Sequence, residues 1–218
     1  MSSEDNFDEI SDMEHALSVD RFSRYMEWAN GDRRKALALY CENVVVSEAF
    51  YTPLHFIEIA LRNRFHAVLR ETYGEQWYLN ENSLRAPHQE LQVAEAILGL
   101  EREEKEVTPG RVVAALTFGF WATYTNIDYE NDWRKIFHRV GSKNGRNLSR
   151  KDLSGPLRKI RTLRNRIAHH EPILYWSLAQ HHDQILEVTG WLSPVAATLA
   201  KEMSRVPHLQ PFSTIPRR

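Results

Sequence analysis

Residues 157–171 have the sequence LRKIRTLRNRIAHHE, and this stretch indicates how the chain folds. At about 100° per residue, its apolar side chains fall on one face of a helix. These side chains are Leu157, Ile160, Leu163 and Ile167. The opposite side is basic and polar, and it consists of Arg158, Arg161, Asn165 and His169. The spacing therefore predicts an amphipathic helix over about 152–170, which Pro172 disturbs soon afterwards.

Arg164 falls within the apolar face of this predicted helix. An unpaired charge in a core is costly, so Arg164 must find a partner or extend beyond the edge of the core. It lies five residues before His169, which separates the two side chains by about 140° around the helix. The long arginine side chain can reach around one helix. Alternatively, a two-fold dimer can bring two copies of the helix together, so that each site borrows residues from the partner chain.

The rest of the chain also has helical periodicity. Helix-ending signals such as Asn30-Gly31 and Gly74 alternate with the helix-starting pairs Thr52-Pro53 and Thr108-Pro109. No segment shows the alternation that is typical of a strand. The predicted helices cover about 18–29, 33–51, 54–73, 87–106, 111–125, 128–140, 152–170 and 177–204, with Pro194 as the site of a bend in the last.

These segments predict an all-α fold. We expect residues 1–15 to form a disordered acidic tail, 16–205 a single helical domain, and 206–218 a C-terminal tail. The stretch VVAALTFGFWATY (112–124) is apolar on most sides, which predicts a central, buried helix. In the helix before it, the core face is predicted to contain Leu54, Ile57, Leu61, Phe65, Val68 and Leu69.

The composition is that of a soluble globular protein, with 42% hydrophobic and 26% charged residues. Cys41 is the only cysteine, which excludes an intramolecular disulfide and a zinc site of four cysteines. The first residues, MSSEDNFDEISDMEH, lack the basic and apolar regions of a signal peptide. No apolar run approaches the roughly 18 residues of a membrane span. We therefore expect a cytoplasmic protein that does not bind a membrane.

Charge is distributed unevenly along the chain, although the net charge is −1. Residues 1–14 contain six carboxylates and no Lys or Arg, whereas residues 134–166 contain twelve Lys and Arg and only one carboxylate, Asp152. Such a basic stretch is typical of a polyanion partner. A solvated helix face followed by a flexible loop gives the same pattern, so charge alone leaves both interpretations open.

The segment RTLRNRIAHHEPI (161–173) resembles the Abi-like proteins of bacterial abortive infection (AbiD/AbiF-type), a branch of the HEPN superfamily. The HEPN signature is Arg, a polar residue, three further residues and His, which correspond here to Arg164, Asn165 and His169. Other segments are similar in order. TPGRVVAALTFGFW (108–121) resembles the family's central Gly-Phe-Gly-type helix, and IEIALRNRF (57–65) and YGEQWY (73–78) resemble its N-terminal part.

This resemblance implies a HEPN-like helical bundle with additional helices. It also implies a metal-independent endoribonuclease, without a cofactor, that acts as a phage-defence or toxin effector. The 2′-OH of the RNA would attack the neighbouring phosphate, with His169 moving a proton and Arg164 neutralising charge on the phosphoryl oxygens. Asn165 would orient His169, and His170 would be either a second proton carrier or an orienting group. We expect RNA binding by Arg158, Arg161 and Arg166, and a homodimer with a composite active site.

Several alternatives stay open at this point. A non-catalytic HEPN-like module that binds RNA or protein has the same signature, and such a module can belong to a toxin–antitoxin pair with an antitoxin or a regulatory RNA as its partner. Arg62 and His66 echo the main motif with one residue too few, so they form either a second half-site or a structural echo. A metal site that combines His169 and His170 with His181 and His182 lacks a carboxylate at conventional spacing.

Overall fold

The computed structural model describes residue 17, residues 19–209, and residues 212 and 215. The predicted acidic tail lies outside the described residues. The described chain is almost entirely helical, which confirms the all-α prediction. Its helices are α1 (Val19–Trp28), α2 (Arg33–Tyr73), α3 (Pro87–Arg102), α4 (Pro109–Ala115), α5 (Phe118–Thr123), α6 (Glu130–Lys135), α7 (Arg150–Ala168), α8 (Leu178–Leu192) and α9 (Pro194–Met203). Short 3-10 helices cover Trp77–Leu79, Ile127–Tyr129, Phe137–Val140 and Val206–Leu209.

The chain divides into two compact units. The first comprises the described residues up to Tyr51, Leu163–His182, and the described residues from Ser204 onwards. The second comprises Thr52–Thr162 and Asp183–Met203. The boundaries between the units fall within α2, α7 and α8, so three helices contribute residues to both. The extent of the predicted domain, 16–205, stays a prediction.

Aromatic rings connect the elements of the first unit. Tyr25 on α1 lies 5.4 Å, centroid to centroid, from both Trp28 and Tyr40. Trp28 in turn lies 5.8 Å from Tyr175, which follows α7. Aromatic pairs at these separations add stabilisation beyond the area that they bury. The carboxamide oxygen of Asn43 also accepts a hydrogen bond from the Ile173 N–H at 2.7 Å, and this bond attaches the segment after α7 to α2.

The second unit contains a larger aromatic core. Phe65 is fully buried and its ring lies 5.3 Å from Tyr124 and 5.2 Å from Phe137. The indole N–H of Trp133 donates to the Tyr124 carbonyl at 2.8 Å. Trp121, Trp133 and Phe137 are therefore core residues rather than exposed platforms for bases. All six predicted core residues of the 54–73 segment are buried: Leu54, Ile57, Leu61, Phe65, Val68 and Leu69.

The structure corrects the prediction that Thr52-Pro53 begins a new helix, because α2 continues through Pro53 from Arg33 to Tyr73. A proline inside a helix removes one hydrogen bond and crowds the carbonyl four residues earlier. Apolar side chains on both sides of Pro53, including Phe50 and Leu54, are buried. Their burial outweighs the local signal of the proline.

Three other predicted helices are interrupted in the structure. The 111–125 segment forms α4 and α5, because Leu116 is extended and the Thr117 hydroxyl caps α5 by accepting from the Phe120 N–H at 3.3 Å. The 128–140 segment consists of α6 between two 3-10 helices. The predicted last helix divides into α8 and α9 at Ser193, next to Pro194. The bend expected at Pro194 is thus confirmed.

Residues 142–147 form a small hairpin where only a loop was expected. Ser142–Lys143 pairs antiparallel with Arg146–Asn147. The turn residues Asn144 and Gly145 both have positive φ, 52° and 76°, as the tightest hairpin turns require. Gly141 precedes the hairpin, and a Cβ there would lie 2.2 Å from the Trp191 carbonyl oxygen. Only glycine permits this close approach.

The length and apolar composition of α2 differ from the expectation that no apolar segment approaches the length of a membrane span. Among the described residues, it is the one helix that could cross a membrane by length and composition, with a mean hydropathy of 1.3 over 18 residues. Since 44% of that window is buried inside the protein, α2 also fits the description of a core helix. At the other end of the chain, Val206 and Ile215 of the expected C-terminal tail are buried.

Candidate functional site

The candidate site lies in the first unit, where α7 ends. The His169 N–H still donates to the Asn165 carbonyl at 2.9 Å, as in a helix. Beyond it, the His170 N–H donates to the Ile167 carbonyl at 3.0 Å and the Glu171 N–H to the Arg166 carbonyl at 2.8 Å. This pair of bonds is the Schellman motif, which ends helices with one residue in the left-handed conformation. Both histidines therefore lie at a defined helix end.

His170 is the left-handed residue of this motif, with φ of 56°. Glycine is the usual residue there, because a Cβ in the left-handed region costs about 1 kcal/mol. Histidine is tolerated at such φ values more often than most residues. The exposed His170 side chain lines a cavity of about 440 Å³, to which Tyr40, Asn43 and Tyr51 also contribute. A strained, exposed residue beside a cavity is a candidate for function.

Arg166 holds the segment that follows the histidines. Its guanidinium carbon lies 5.6 Å from the ring centroid of Tyr175 and 5.5 Å from that of Trp176. Its Nη1 forms an ion pair of 3.2 Å with Glu171 and donates to the Pro172 carbonyl at 3.4 Å. These contacts attach the turn after α7 to the helix itself. Arg166, which was expected to bind RNA, is thus engaged in positioning this turn.

His169 is exposed, and none of the hydrogen bonds among the described residues involves its ring. An exposed imidazole without such bonds is available to a substrate, which proton transfer requires. A histidine packed in a core with both nitrogens bonded to protein could not act in this way.

Arg164 is half-buried and interacts with another group of the protein. This agrees with the expectation that a charge on the apolar face of α7 needs a partner. Asn165 is also half-buried, and its backbone carbonyl is the group that accepts from His169. The four residues Leu157, Ile160, Leu163 and Ile167 are all buried, so the predicted core face of α7 is confirmed.

Arg158 and Arg161 belong to the second unit. Both are exposed, as the helical periodicity predicts. Together with Ser154 and Asn126 they line a second cavity, of about 360 Å³.

His181 and His182, the other histidines of the metal alternative, have structural partners. The His182 ring is buried and its Nε2 lies 2.8 Å from the Ser204 hydroxyl, while His181 Nδ1 lies 2.9 Å from the Ser177 carbonyl. Within the part of the chain that the structure describes, no three His, Cys, Asp or Glu side chains converge as metal ligands would.

Arg62 and His66, the echo of the main motif, are also engaged. The Arg62 guanidinium donates to the Ala114 carbonyl at 3.3 Å, and the Trp77 indole N–H donates to His66 Nδ1 at 3.0 Å. Burial, together with the charge of Arg70, lowers the pKa of His66 below its ordinary value. These contacts favour the structural alternative for this pair, and its role as a second half-site stays a prediction.

The sequence model of one family, described as Abi-like protein, matches residues 10–175. The chain belongs to the Abi-like family. Membership suggests a function in abortive infection. No curated protein and no solved structure matches the chain significantly. The matched region contains α7 and both histidines of the helix end.

The residues that fix the helix end of this Abi-like protein do not follow from sequence spacing. Glu171, Tyr175 and Trp176 surround Arg166, but they follow α7 in an irregular segment with no periodicity to interpret. The available signal was the aromatic pair Tyr175-Trp176 shortly after Pro172. Aromatic rings near an arginine are common partners for its guanidinium.

Replacing His170 with glycine should stabilise this Abi-like protein. Glycine removes the strain of the left-handed conformation, although it also increases the entropy of the unfolded chain. We expect the free energy of unfolding to rise by about 0.5–1 kcal/mol in chemical denaturation. The control is His169→Gly, because His169 does not have a positive φ. Equal effects of the two substitutions would show that the helix end does not strain His170.

The stability of the protein should depend on pH through His66. Its pKa is lower in the folded than in the unfolded state, so the unfolded state binds the proton more tightly. The stabilisation is therefore complete above about pH 6.5 and is lost as the pH falls towards the folded-state pKa. We expect the unfolding free energy of the wild type to fall more between pH 7.5 and 5 than that of His66→Gln. The control is His55→Gln, at an exposed position of α2. Parallel pH profiles for wild type and His66→Gln would contradict this assignment.

Proposed function

We propose that this protein is a metal-independent endoribonuclease of the HEPN type that acts in abortive infection. The observation that carries the proposal is His169, an exposed imidazole on a rigid helix end, five positions after a half-buried arginine. The Schellman motif and the Arg166 contacts define the backbone around it. A catalytic group needs such support, because small displacements of a reacting group are costly.

The reaction that these residues can support is an internal transphosphorylation. His169 takes the proton of the ribose 2′-OH, and the 2′ oxygen forms a bond to phosphorus while the bond from phosphorus to the 5′ oxygen breaks. The leaving 5′ oxygen receives a proton, and the products are a 2′,3′-cyclic phosphate and a 5′-hydroxyl. Arg164 neutralises the charge that develops on the phosphoryl oxygens. His170 is a candidate for the second proton carrier, and the cavity beside it leaves room for a nucleotide.

The proposed active site is composite. Arg164 and His169 are separated by about 140° around one helix, and a two-fold dimer in which each chain supplies one of them would direct both at one phosphate. A homodimer in which the C-terminal ends of two α7 helices lie together provides this arrangement. Arg158, Arg161 and Arg166 are proposed RNA contacts, with Arg166 acting mainly through the turn that it holds.

The nuclease proposal predicts cleavage of single-stranded RNA by the purified protein in the presence of EDTA. His169→Ala should reduce the rate by about 10²- to 10⁴-fold, because general acid–base catalysis contributes this much. Arg164→Ala should reduce it by about 10²-fold or more. The controls are His208→Ala and Arg24→Ala, which remove an exposed histidine and an exposed arginine elsewhere in the first unit.

Activity that disappears with EDTA, or that both folded variants retain, would rule out this mechanism. RNA binding without cleavage would instead support the alternative, a non-catalytic HEPN-like module. Thermal denaturation of each variant separates loss of chemistry from loss of folding, which matters for the half-buried Arg164.

Mixing two inactive variants tests the composite site. If a site takes Arg164 from one chain and His169 from the other, a heterodimer of Arg164→Ala and His169→Ala contains one intact site. After random exchange of subunits, we expect about a quarter of the wild-type rate. The measurement is RNA cleavage by the mixture and by each variant alone. No recovery in a mixture that light scattering shows to be dimeric would mean that each site takes both residues from one chain.

A further inference from the structure

The arginines of the basic stretch 134–166 differ in whether their charge is compensated. Five of them form ion pairs: Arg134 and Arg150 with Glu130, Arg139 with Glu71, Arg146 with Asp152, and Arg166 with Glu171. Among the residues that the structure describes, Arg158 and Arg161 have no such pair. The arginine charge available to an anionic ligand is therefore more localised than the sequence suggests.

Arg158 and Arg161 line the same cavity of the second unit, which has a volume of about 360 Å³. Asn126, Ser154 and Gly155 are also part of its lining. Neither a carboxylate nor an aromatic ring is among these lining residues. A base would find no ring on which to stack there, whereas a phosphate would find guanidinium, hydroxyl and amide donors.

Arg150 forms one wall of the cavity, and its charge is already compensated. Its Nε pairs with Glu130 at 2.6 Å, its Nη1 donates to the Thr125 carbonyl at 3.0 Å, and only 12% of its side chain is exposed. The contact with Nε lowers the pKa of the Glu130 carboxyl. Arg150 therefore offers less uncompensated charge to a ligand than Arg158 and Arg161 do.

The Arg161 guanidinium lies close to Gly119 of α5. A Cβ on Gly119 would lie 3.5 Å from Arg161 Nη2 and 3.6 Å from Cζ. Glycine therefore leaves space for the guanidinium at this edge of the cavity. Arg158 lies three positions earlier on α7, where its side chain falls on the same face.

We propose that this cavity binds a phosphate group, and that in the proposed ribonuclease the group is a backbone phosphate of the RNA substrate. The assignment to RNA rests on the proposed function. Two guanidinium groups can bind phosphate oxygens through paired hydrogen bonds, and Ser154 and Asn126 can satisfy the remaining oxygen. Such a contact positions the strand without selecting its sequence.

The test uses the His169→Ala protein and fluorescence anisotropy with a labelled 12-nucleotide RNA. Adding Arg158→Gln and Arg161→Gln should weaken binding at least about tenfold and reduce the slope of log affinity against log salt by about 0.7 or more. The matched control adds Lys151→Gln and Lys159→Gln, which remove the same charge from exposed positions of α7 outside the cavity. The control should change the affinity less than about threefold. Equal losses of RNA affinity in the two double variants would overturn the proposal that this cavity binds phosphate.

Ser154→Glu provides an independent variant, because it places a carboxylate in the cavity without removing either arginine. It should weaken RNA binding as much as the double arginine variant, while circular dichroism shows an unchanged helical content. Unchanged RNA affinity in folded Ser154→Glu would overturn the proposal.

Two competition experiments identify the source of the phosphate. Inorganic phosphate and 5′-AMP are titrated against the RNA complex, and we expect neither to displace RNA below millimolar concentration. Displacement by micromolar 5′-AMP that depends on Arg158 and Arg161 would overturn the assignment to RNA.

The same variants distinguish failure of the cavity proposal from failure of the nuclease proposal. If the wild type binds RNA through these arginines but does not cleave it, the nuclease proposal is wrong and the phosphate-binding cavity stands. If both arginine substitutions leave RNA cleavage unchanged, the proposal that the cavity binds the RNA is wrong and the nuclease proposal stands.

Discussion

The contacts of one guanidinium determine the geometry at the end of α7. Arg166 lies near the rings of Tyr175 and Trp176 and pairs with Glu171, so the chain that leaves the helix must return along it. This path requires a residue in the left-handed conformation directly after His169, and that residue is His170. The backbone that carries His169 is therefore fixed by contacts that His169 does not itself make. Without Arg166, the Schellman motif would be the main restraint on this backbone.

This arrangement combines strain with compensation. A left-handed histidine destabilises the fold slightly, whereas the ion pair and the aromatic contacts of Arg166 stabilise the same turn. Selection for stability alone would favour glycine at position 170, because glycine removes the strain and leaves the hydrogen bonds of the motif intact. A side chain at this position is therefore better explained by the cavity that it lines than by the stability of the helix end. The strained conformation of His170 therefore supports a function for its side chain. This support is independent of the Arg164–His169 motif.

The sequence was sufficient for the features that depend on local periodicity. The buried face of α7 and the exposed positions of Arg158, Arg161 and His169 follow from spacing alone. Pro53 shows where local rules fail, because burial along α2 outweighs the usual helix-starting signal. The charge of the basic stretch could not be resolved either, since Glu71 and Glu130 lie outside that stretch and compensate Arg139 and Arg150 only in the folded chain. The resemblance to the Abi-like family could be recognised from residue types, but the contacts of Arg166 required coordinates.

Ion pairing also changes how the basic stretch should be interpreted. Twelve cations in 33 residues suggest a broad electrostatic surface, which would attract RNA without orienting it. Once the paired arginines are set aside, Arg158 and Arg161 stand out, because they share one cavity. Two arginines in one cavity form a discrete site for a phosphate, which a diffuse charge does not provide. The compensation of charge in the folded chain therefore matters more to the proposed RNA binding than the number of basic residues.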